Sequence, residues 1–381
     1  MPAVAKPERV LDRRTLNRAT LDRQLLLRRA ELPVVAAVER LFGLNAQSPD
    51  PPYVALWSRL ARFGIDDLSR AVTDRSLVRS TLVRATQHLV TVSDFRLVRP
   101  AVANLLRRVQ RNAFGARTAG VDLEELVAQA RRILAAAPGM TRPELGRRLA
   151  ADRPGSDPDA LGWSVQYLEP LLHPAPSGTW RHHGATPLML ADWTGVPSET
   201  TPEDLARLVR RYLAAFGPAS VADARAWSGI AGLREVFARL RPELRVYADE
   251  AGRELFDVPE GSLPPADEPA PVRLLPEFDA PLLAYADRTR MMTDAVRRQV
   301  CVGAAVAATV LVDGEVAATW SVARAAGTVE LTVRPFRPLG RRERDETAAE
   351  AERLLAFTDP DVERRRVRLL PPGAPGAAAA T

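Results

Sequence analysis

Two short segments share one grammar, and it restricts the fold more than any other feature of the chain. Met140-Thr141-Arg142-Pro143-Glu144-Leu145 and Ala219-Ser220-Val221-Ala222-Asp223-Ala224 each set a hydroxyl residue three positions before an acid. The hydroxyl can accept from the third backbone N–H of a helix while the acid reaches back to the first, so each segment opens a capped helix. Apolar residues at helical spacing precede both, over Val121 to Leu134 and Leu205 to Phe216. A second helix is predicted after each, over Leu161 to Leu172 and Ile230 to Leu240. Extended stretches follow: Thr179-Trp180-Arg181 in the first case, and Leu244 to Tyr247 with Glu254 to Val258 around a turn at Asp249-Glu250-Ala251-Gly252 in the second. Helix-turn-helix units backed by small hairpins are winged helices.

A weaker copy of the pattern begins the chain. Helices are expected from Arg14 to Arg29, Pro33 to Phe42 and Tyr53 to Arg62, with Asp66 or Asp67 capping another through Ala71. Leu77 to Val92 carries period-2 stretches rich in Val and Thr and reads as a strand pair. Gly261 to Pro271 is acidic, Pro-rich and linker-like. Beyond it, Val272 to Leu275, Ala280 to Tyr285, Val300 to Val312, Glu315 to Val322 and Thr328 to Val333 read as strands, with an Asp313-Gly314 hairpin turn. Five strands in one block predict a small β-barrel. Arg341 to Phe357 is a last helix, and the Pro/Gly/Ala tail from Pro371 reads as disordered. The expected fold is mainly helical α+β, with three tandem winged-helix units and a β-barrel-like unit. Their bounds are 1–100, 101–195, 196–262 and 263–360, with a tail over 361–381.

Composition narrows the partners. The 381 residues carry a net charge of +6, almost all of its positive part arginine, since Lys6 is the sole lysine. A basic balance favours a polyanion such as nucleic acid, although arginine richness beside abundant Ala and Pro also reflects a GC-rich coding sequence. Cys301, the single cysteine, rules out an internal disulfide and a thiolate metal cluster. No apolar run reaches the length of a membrane span, and MPAVAKPERV lacks an export core. The cytoplasm is the expected compartment.

No phosphate-binding Gly loop, dinucleotide fingerprint, zinc spacing or Gly-x-Ser-x-Gly elbow is present. His182-His183 and His173 lack carboxylates at ligand spacing. What stands out is Leu44-Asn45-Ala46-Gln47-Ser48-Pro49, two side-chain amides around one small residue at a helix end. Such amides can share a cavity and orient water. Taken alone, they can equally cap a turn and bond backbone. Arg84, Thr86 and His88 alternate on the proposed strand and so share a face, suited to phosphate or a lesion or simply to solvent. Arg147-Arg148, Arg107-Arg108, Arg131-Arg132 and Arg210-Arg211 are candidate phosphate contacts. Trp193 and Trp227 read as core.

Four motifs in order carry a resemblance. They are G-L-N-A-Q-S-P-D-P-P-Y-V-A-L-W-S-R-L from Gly43, L-V-R-S-T-L-V-R-A-T-Q-H-L-V-T from Leu77, F-G-P-A-S-V-A-D-A-R-A-W-S-G from Phe216 and L-L-P-E-F-D-A-P-L-L-A-Y-A-D-R from Leu274. Together they resemble the AlkZ/YcaQ family of bacterial DNA glycosylases over about residues 9–357. The resemblance implies three winged helices and a β-domain in a C-shaped molecule that holds double-stranded DNA. It also implies removal of N7- or N3-alkylated purines, bulky antibiotic adducts and interstrand crosslinks among them, as in self-resistance of antibiotic producers. The family's catalytic motif, Gln-x-Gln or Gln-x-Asp, falls on Asn45 and Gln47, where the first amide is one methylene shorter. Gln47 is then expected to position water, with Asn45 as its partner, and Arg84, Thr86, His88, Tyr53, Arg147 and Arg148 to bind DNA or lesion. No cofactor, metal or membrane is implied, and a monomer is expected. The alternative is a winged-helix protein that binds DNA without cleaving it. A lyase is disfavoured because only Lys6 could form a Schiff base.

Overall fold

The computed structural model describes residues 7–373. The expectations for the first six residues, Lys6 included, and for the end of the tail lie outside the described residues. The element order is β1 (Val10–Leu11), α1 (Arg13–Arg23), α2 (Val34–Leu41), β2 (Leu44–Asn45), α3 (Pro51–Arg59), α4 (Ile65–Thr73), β3 (Leu77–Thr81), β4 (Gln87–Thr91), α5 (Val92–Ala101), α6 (Ala103–Phe114), α7 (Leu123–Ala136), α8 (Arg142–Ala151) and α9 (Pro158–Leu168). There follow β5 (Leu171–Leu172), β6 (Met189–Leu190), α10 (Pro202–Phe216), α11 (Val221–Ser228), α12 (Leu233–Leu240), β7 (Arg245–Asp249), β8 (Glu254–Asp257) and β9 (Arg273–Leu275). The chain continues through α13 (Asp294–Val300), β10 (Cys301–Val302), β11 (Ala305–Val306), β12 (Thr309–Val312), β13 (Glu315–Ala325), β14 (Thr328–Pro335), α14 (Arg341–Thr358) and β15 (Arg364–Leu369).

Local chemistry sets most of these bounds. Glu144 accepts from the Thr141 N–H at 2.8 Å and Asp223 from the Ser220 N–H at 2.8 Å, so both capping boxes form. Helix α8 crosses α9 at closest range where Gly146 faces Pro158. A Cβ on Gly146 would lie 2.1 Å from the Pro158 carbonyl oxygen. The α9 helix ends at Leu168, short of the expected Leu172, because Pro170 bars a helical conformation for the residue before it.

Helical triplets followed by paired strands recur three times: α2–α4 with β3 and β4, α7–α9 with β5 and β6, and α10–α12 with β7 and β8. The middle strands are not those the sequence suggests. Thr179-Trp180-Arg181 is a turn, and β5 and β6 instead extend one sheet in the order β2-β4-β3-β5-β6, joined where Ser80 faces Leu172. At the other end, β1 runs parallel to β7, Val10 opposite Ala248, which binds the N-terminal arm to the third triplet.

The C-terminal strands form an open sheet in the order β15-β14-β13-β12-β9, not a barrel. Helix α14 lays Ala351, Leu354 and Leu355 against Val329, Leu331 and Val333. A sheet whose face is covered by a helix buries its apolar side without closing on itself. Two strand expectations fail here. Ala280 to Tyr285 is a 3₁₀ turn begun by Ala280-Pro281, and Val300 to Val312 is broken into three short strands by turns such as that at Gly303. The edge strand β15 has no counterpart in the sequence reading, because Arg364-Arg365-Arg366-Val367-Arg368 shows little apolar alternation.

Candidate active site

The Asn45/Gln47 loop is positioned by the end of α2. Phe42 and Gly43 take left-handed backbone conformations, φ 58° and 92°, and turn the chain back into β2. At Gly43 a Cβ would sit 2.7 Å from Val90 Cγ1 on β4, so both the backbone angle and the close approach demand glycine. The Phe42 ring stacks on Trp227 with centroids 5.1 Å apart, which fixes the helix end against α11. Strand β2 then pairs with β4, Asn45 opposite His88, and the Ala46 N–H donates to the Gln87 carbonyl at 2.8 Å.

Both amides lie at the edge of this pairing. Asn45 Oδ1 accepts from the Gln47 N–H at 3.3 Å, and Gln47 Oε1 accepts from the Gln87 N–H at 3.2 Å. These are long bonds, and each oxygen keeps a second lone pair for a further donor. Asn45 is half-buried and Gln47 exposed, so an approaching molecule reaches them.

Beneath the loop lies Arg79, buried in β3 with no carboxylate at ion-pair distance among the described residues. Its Nε donates to the Ala46 carbonyl at 2.8 Å, one Nη to the Gln47 carbonyl at 3.4 Å and the other to Ser177 Oγ at 2.7 Å. Burial lowers its pKa to about 10, which leaves it cationic at neutral pH. The loop backbone is therefore tied to a buried charge from below and to β4 from the side.

The strand alternation expected for Arg84, Thr86 and His88 does not hold, since Arg84 lies in a 3₁₀ turn over Val83–Ala85 and β4 begins only at Gln87; Arg84 and His88 still lie side by side, whereas Thr86 meets His88 only through its backbone carbonyl. His88 Nδ1 lies 3.0 Å from the Thr86 carbonyl, so it carries the proton there, and Nε2 faces the Arg84 guanidinium at 3.5 Å. Burial, reinforced by Arg84, holds the His88 pKa down to about 3. His88 is thus a neutral residue behind the loop. Arg84, in a left-handed conformation at φ 55°, donates to the Trp227 carbonyl at 2.6 Å. Burial, and the nearby positive charge of Arg288, lower its pKa to about 10. Thr86 Oγ1 bonds the Val83 carbonyl at 3.1 Å and stays half-exposed.

The model of the family described as DNA glycosylase AlkZ-like matches residues 38–357. The chain belongs to the AlkZ-like DNA glycosylase family. It is accordingly a DNA repair glycosylase, an enzyme that hydrolyses N-glycosidic bonds. A relative from Streptomyces sahachiroi, named an interstrand DNA cross-link repair glycosylase, is 28% identical over 344 residues, 82% of this chain and 88% of its own. The solved structure of the Streptomyces sahachiroi DNA glycosylase AlkZ superposes with a TM-score of 0.78 at 23% identity. The match covers 95% of this chain and all of that one, and it shows a shared fold.

Some residues singled out in the sequence of this glycosylase are placed differently from what they suggest. Tyr53 is fully buried, its hydroxyl 2.9 Å from Ser69 Oγ and 3.4 Å from the Gly178 carbonyl, so its ring presents no surface to a ligand. Trp193 is 46% exposed, with Arg75 5.7 Å from its ring, whereas Trp227 is core. Arg131 pairs with Glu169 and Asp192, Arg210 with Glu203 and Glu243, and Arg211 with Asp94, which occupies them without phosphate. Arg147 and Arg148 are exposed on α8. Sequence reasoning missed Arg79, whose one signal is a charge inside an otherwise strand-like run. It also missed Asp50, which accepts from the Arg181 N–H at 2.8 Å and lies 3.3 Å from His183 Nε2. No group of three or more metal-ligating side chains is arranged to hold an ion among the described residues, and no helix there is long and apolar enough to cross a membrane.

Proposed function

We propose that Asn45 and Gln47 form the reaction centre of a monofunctional glycosylase for cationic N7- or N3-alkylated purines. Alkylation puts positive charge on the base, which then departs as a neutral molecule without a general acid. The remaining demands are a water aimed at C1′ and stabilisation of an oxocarbenium-like sugar. A nucleophilic water must donate its proton and point a lone pair at carbon. The free lone pairs on Asn45 Oδ1 and Gln47 Oε1 accept such protons, and amides supply dipoles without ionising. Weak general-base power spares undamaged bases, which leave poorly. The observation that carries this reading is the loop itself: two accessible amides around Ala46, their backbone fixed by Arg79 and β4.

Arg84, Thr86 and His88 buttress the loop, with the Arg84 and Arg288 charges favouring DNA phosphate nearby. Arg147 and Arg148 contact the duplex at longer range. The three helical triplets with their strands act as winged helices, and with the C-terminal sheet they curve around double-stranded DNA, a monomer working in the cytoplasm. The relative named for interstrand cross-link repair supports cross-linked DNA as a substrate. The test is release of base by the whole protein from duplexes carrying 7-methylguanine, a bulky N7 adduct, a crosslink, or no lesion. Release from at least one damaged duplex, with neither release from the undamaged one nor borohydride-trapped intermediate, is expected. Background release from all of them, with tight binding to one operator-like sequence, would identify a silent DNA-binding protein instead.

A further inference from the structure

The outer face of the C-terminal sheet carries a row of arginines. On the inner face Val329, Leu331 and Val333 pack under α14. Strand β15 runs parallel to β14, with Arg364 opposite Thr328, Arg366 opposite Glu330 and Arg368 opposite Thr332. Paired residues share a face and successive ones alternate. Arg364, Arg366 and Arg368 therefore point away from α14. All three are exposed, and their guanidiniums make no hydrogen bond or ion pair among the described residues. Arg365, of opposite parity, instead donates to the Asp359 and Pro360 carbonyls at 3.1 and 3.0 Å. Glu330 is the one carboxylate in β14 and β15, and across from it β13 offers only the small Ala323.

Spacing and position both suit a phosphate backbone. Alternate strand residues lie about 6.6 Å apart, so the row covers about 13 Å. Phosphates of one duplex strand advance about 3.4 Å along the axis at each step, so the row spans about four steps. The open edge of β15 adds unpaired N–H groups, which also suit phosphate oxygens. The near end of the row is tied to the reaction loop. Arg364 lies opposite Thr328, which closes the β13–β14 hairpin against Ala325. Next to that tip, Arg324 donates to Asp359 Oδ1 at 2.9 Å, and Arg181 donates to the same oxygen at 2.6 Å. The Arg181 N–H bonds Asp50 Oδ1 at 2.8 Å, and Asp50 lies three residues beyond Gln47.

We propose that Arg364, Arg366 and Arg368 form a phosphate-binding strip that holds one strand of the duplex on one side of the lesion. The glycosylase reading supplies only the choice of duplex DNA as the partner. The strip reads no bases and takes no part in the chemistry. It anchors one flank while the Asn45/Gln47 loop meets the damaged nucleotide, so the two flanks contribute unequally to binding.

Fluorescence anisotropy on the full-length protein tests this. The probe is a duplex with a tetrahydrofuran abasic analogue at its centre, which sets the register and has no base to release. The combined variant Arg364→Gln, Arg366→Gln and Arg368→Gln is expected to bind at least about tenfold more weakly and to lower the slope of log Kd against log salt by about 2 to 3. Arg364→Lys, Arg366→Lys and Arg368→Lys together are expected to keep the wild-type slope, since the charge is retained. Shortening the duplex on one side of the analogue is expected to cost wild type the same slope and the glutamine variant nothing further. Shortening the other side should affect both proteins alike. An unchanged slope in the glutamine variant, or equal losses in both proteins whichever side is shortened, overturns the strip. So does a glutamine variant that self-associates on gel filtration while its monomer keeps the wild-type slope, because the arginines then only guard an open edge. The titrations need no turnover. An unchanged slope defeats the strip and leaves the glycosylase reading standing, whereas a changed slope with no base release from any damaged duplex does the reverse.

Discussion

At the scale of single residues, Asn45 and Gln47 show how a bland role and the proposed chemical one are compatible. Each amide oxygen accepts a backbone N–H, as a turn residue would, yet each retains the lone pair that water needs. Asn45→Gln restores the longer amide and is expected to keep or raise the rate on 7-methylguanine duplex, measured under single-turnover conditions; complete loss would mean that the short side chain is matched to a different geometry. Gly43→Ala is expected to cost about 1–3 kcal/mol in urea denaturation, since φ 92° and the Val90 contact both oppose a side chain; an unchanged midpoint would contradict this. The two neutral imidazoles make a pH prediction. His88 and His173, with pKa values of about 3 in the folded protein, sit near 6.5 when unfolded. Above pH 6.5 both states are neutral at these positions and no dependence arises. Below it the unfolded chain takes up protons that the folded chain refuses, so stability falls by roughly 2 kcal/mol per imidazole by pH 5. Urea midpoints at pH 7.5 and 5.0 check this, and equal midpoints would refute it.

At the scale of elements, strand β3 and the resemblance motifs explain what the sequence could and could not disclose. The strand pair at 77–91, the capping boxes and the Asp313-Gly314 turn were legible because they depend on neighbours within a few residues. Arg79 was not, because its partners lie 32 to 98 positions away. Two motifs distant from the loop in sequence turn out to bind each other. Tyr285 donates to the Phe216 carbonyl at 2.8 Å, and the Ala286 N–H donates to Asp223 Oδ1 at 2.9 Å. Their residue pattern records a joint, not a second reaction site. Asp279 belongs to the same class, gripping Arg59 bidentately at 2.6 and 2.9 Å with both side chains buried. Asp279→Ala leaves that guanidinium buried and unpaired and is expected to cost about 3–5 kcal/mol, read from urea unfolding. Arg79→Met keeps bulk but releases the loop carbonyls. It is expected to lower kcat more than it raises KM, and a change in KM alone would argue against a positioning role.

At the scale of the whole molecule, long-range pairs between arginine and carboxylate hold units together and consume much of the chain's positive charge. Arg23 meets Asp257 at 2.6 Å from 234 residues away, and Arg18 meets Asp313 at 2.5 Å. The barrel was misread for a related reason: the covering of the sheet by α14 is a tertiary fact absent from strand periodicity. Arg107 and Arg108 on α6, Arg147 and Arg148 on α8 and four arginines on β15 are among those left exposed, and they are the proposed contacts to DNA. Duplex affinity should fall steeply with salt, and Arg147→Gln with Arg148→Gln should reduce the slope of log Kd against log salt by about 2 if both contact phosphates. The account as a whole turns on the loop. The decisive measurement is the single-turnover rate of 7-methylguanine release from duplex by wild type and by Gln47→Ala, with DNA affinity measured in parallel. Unchanged affinity and a rate at least about 100-fold lower are predicted. Equal rates in the two proteins would show that the water is positioned elsewhere.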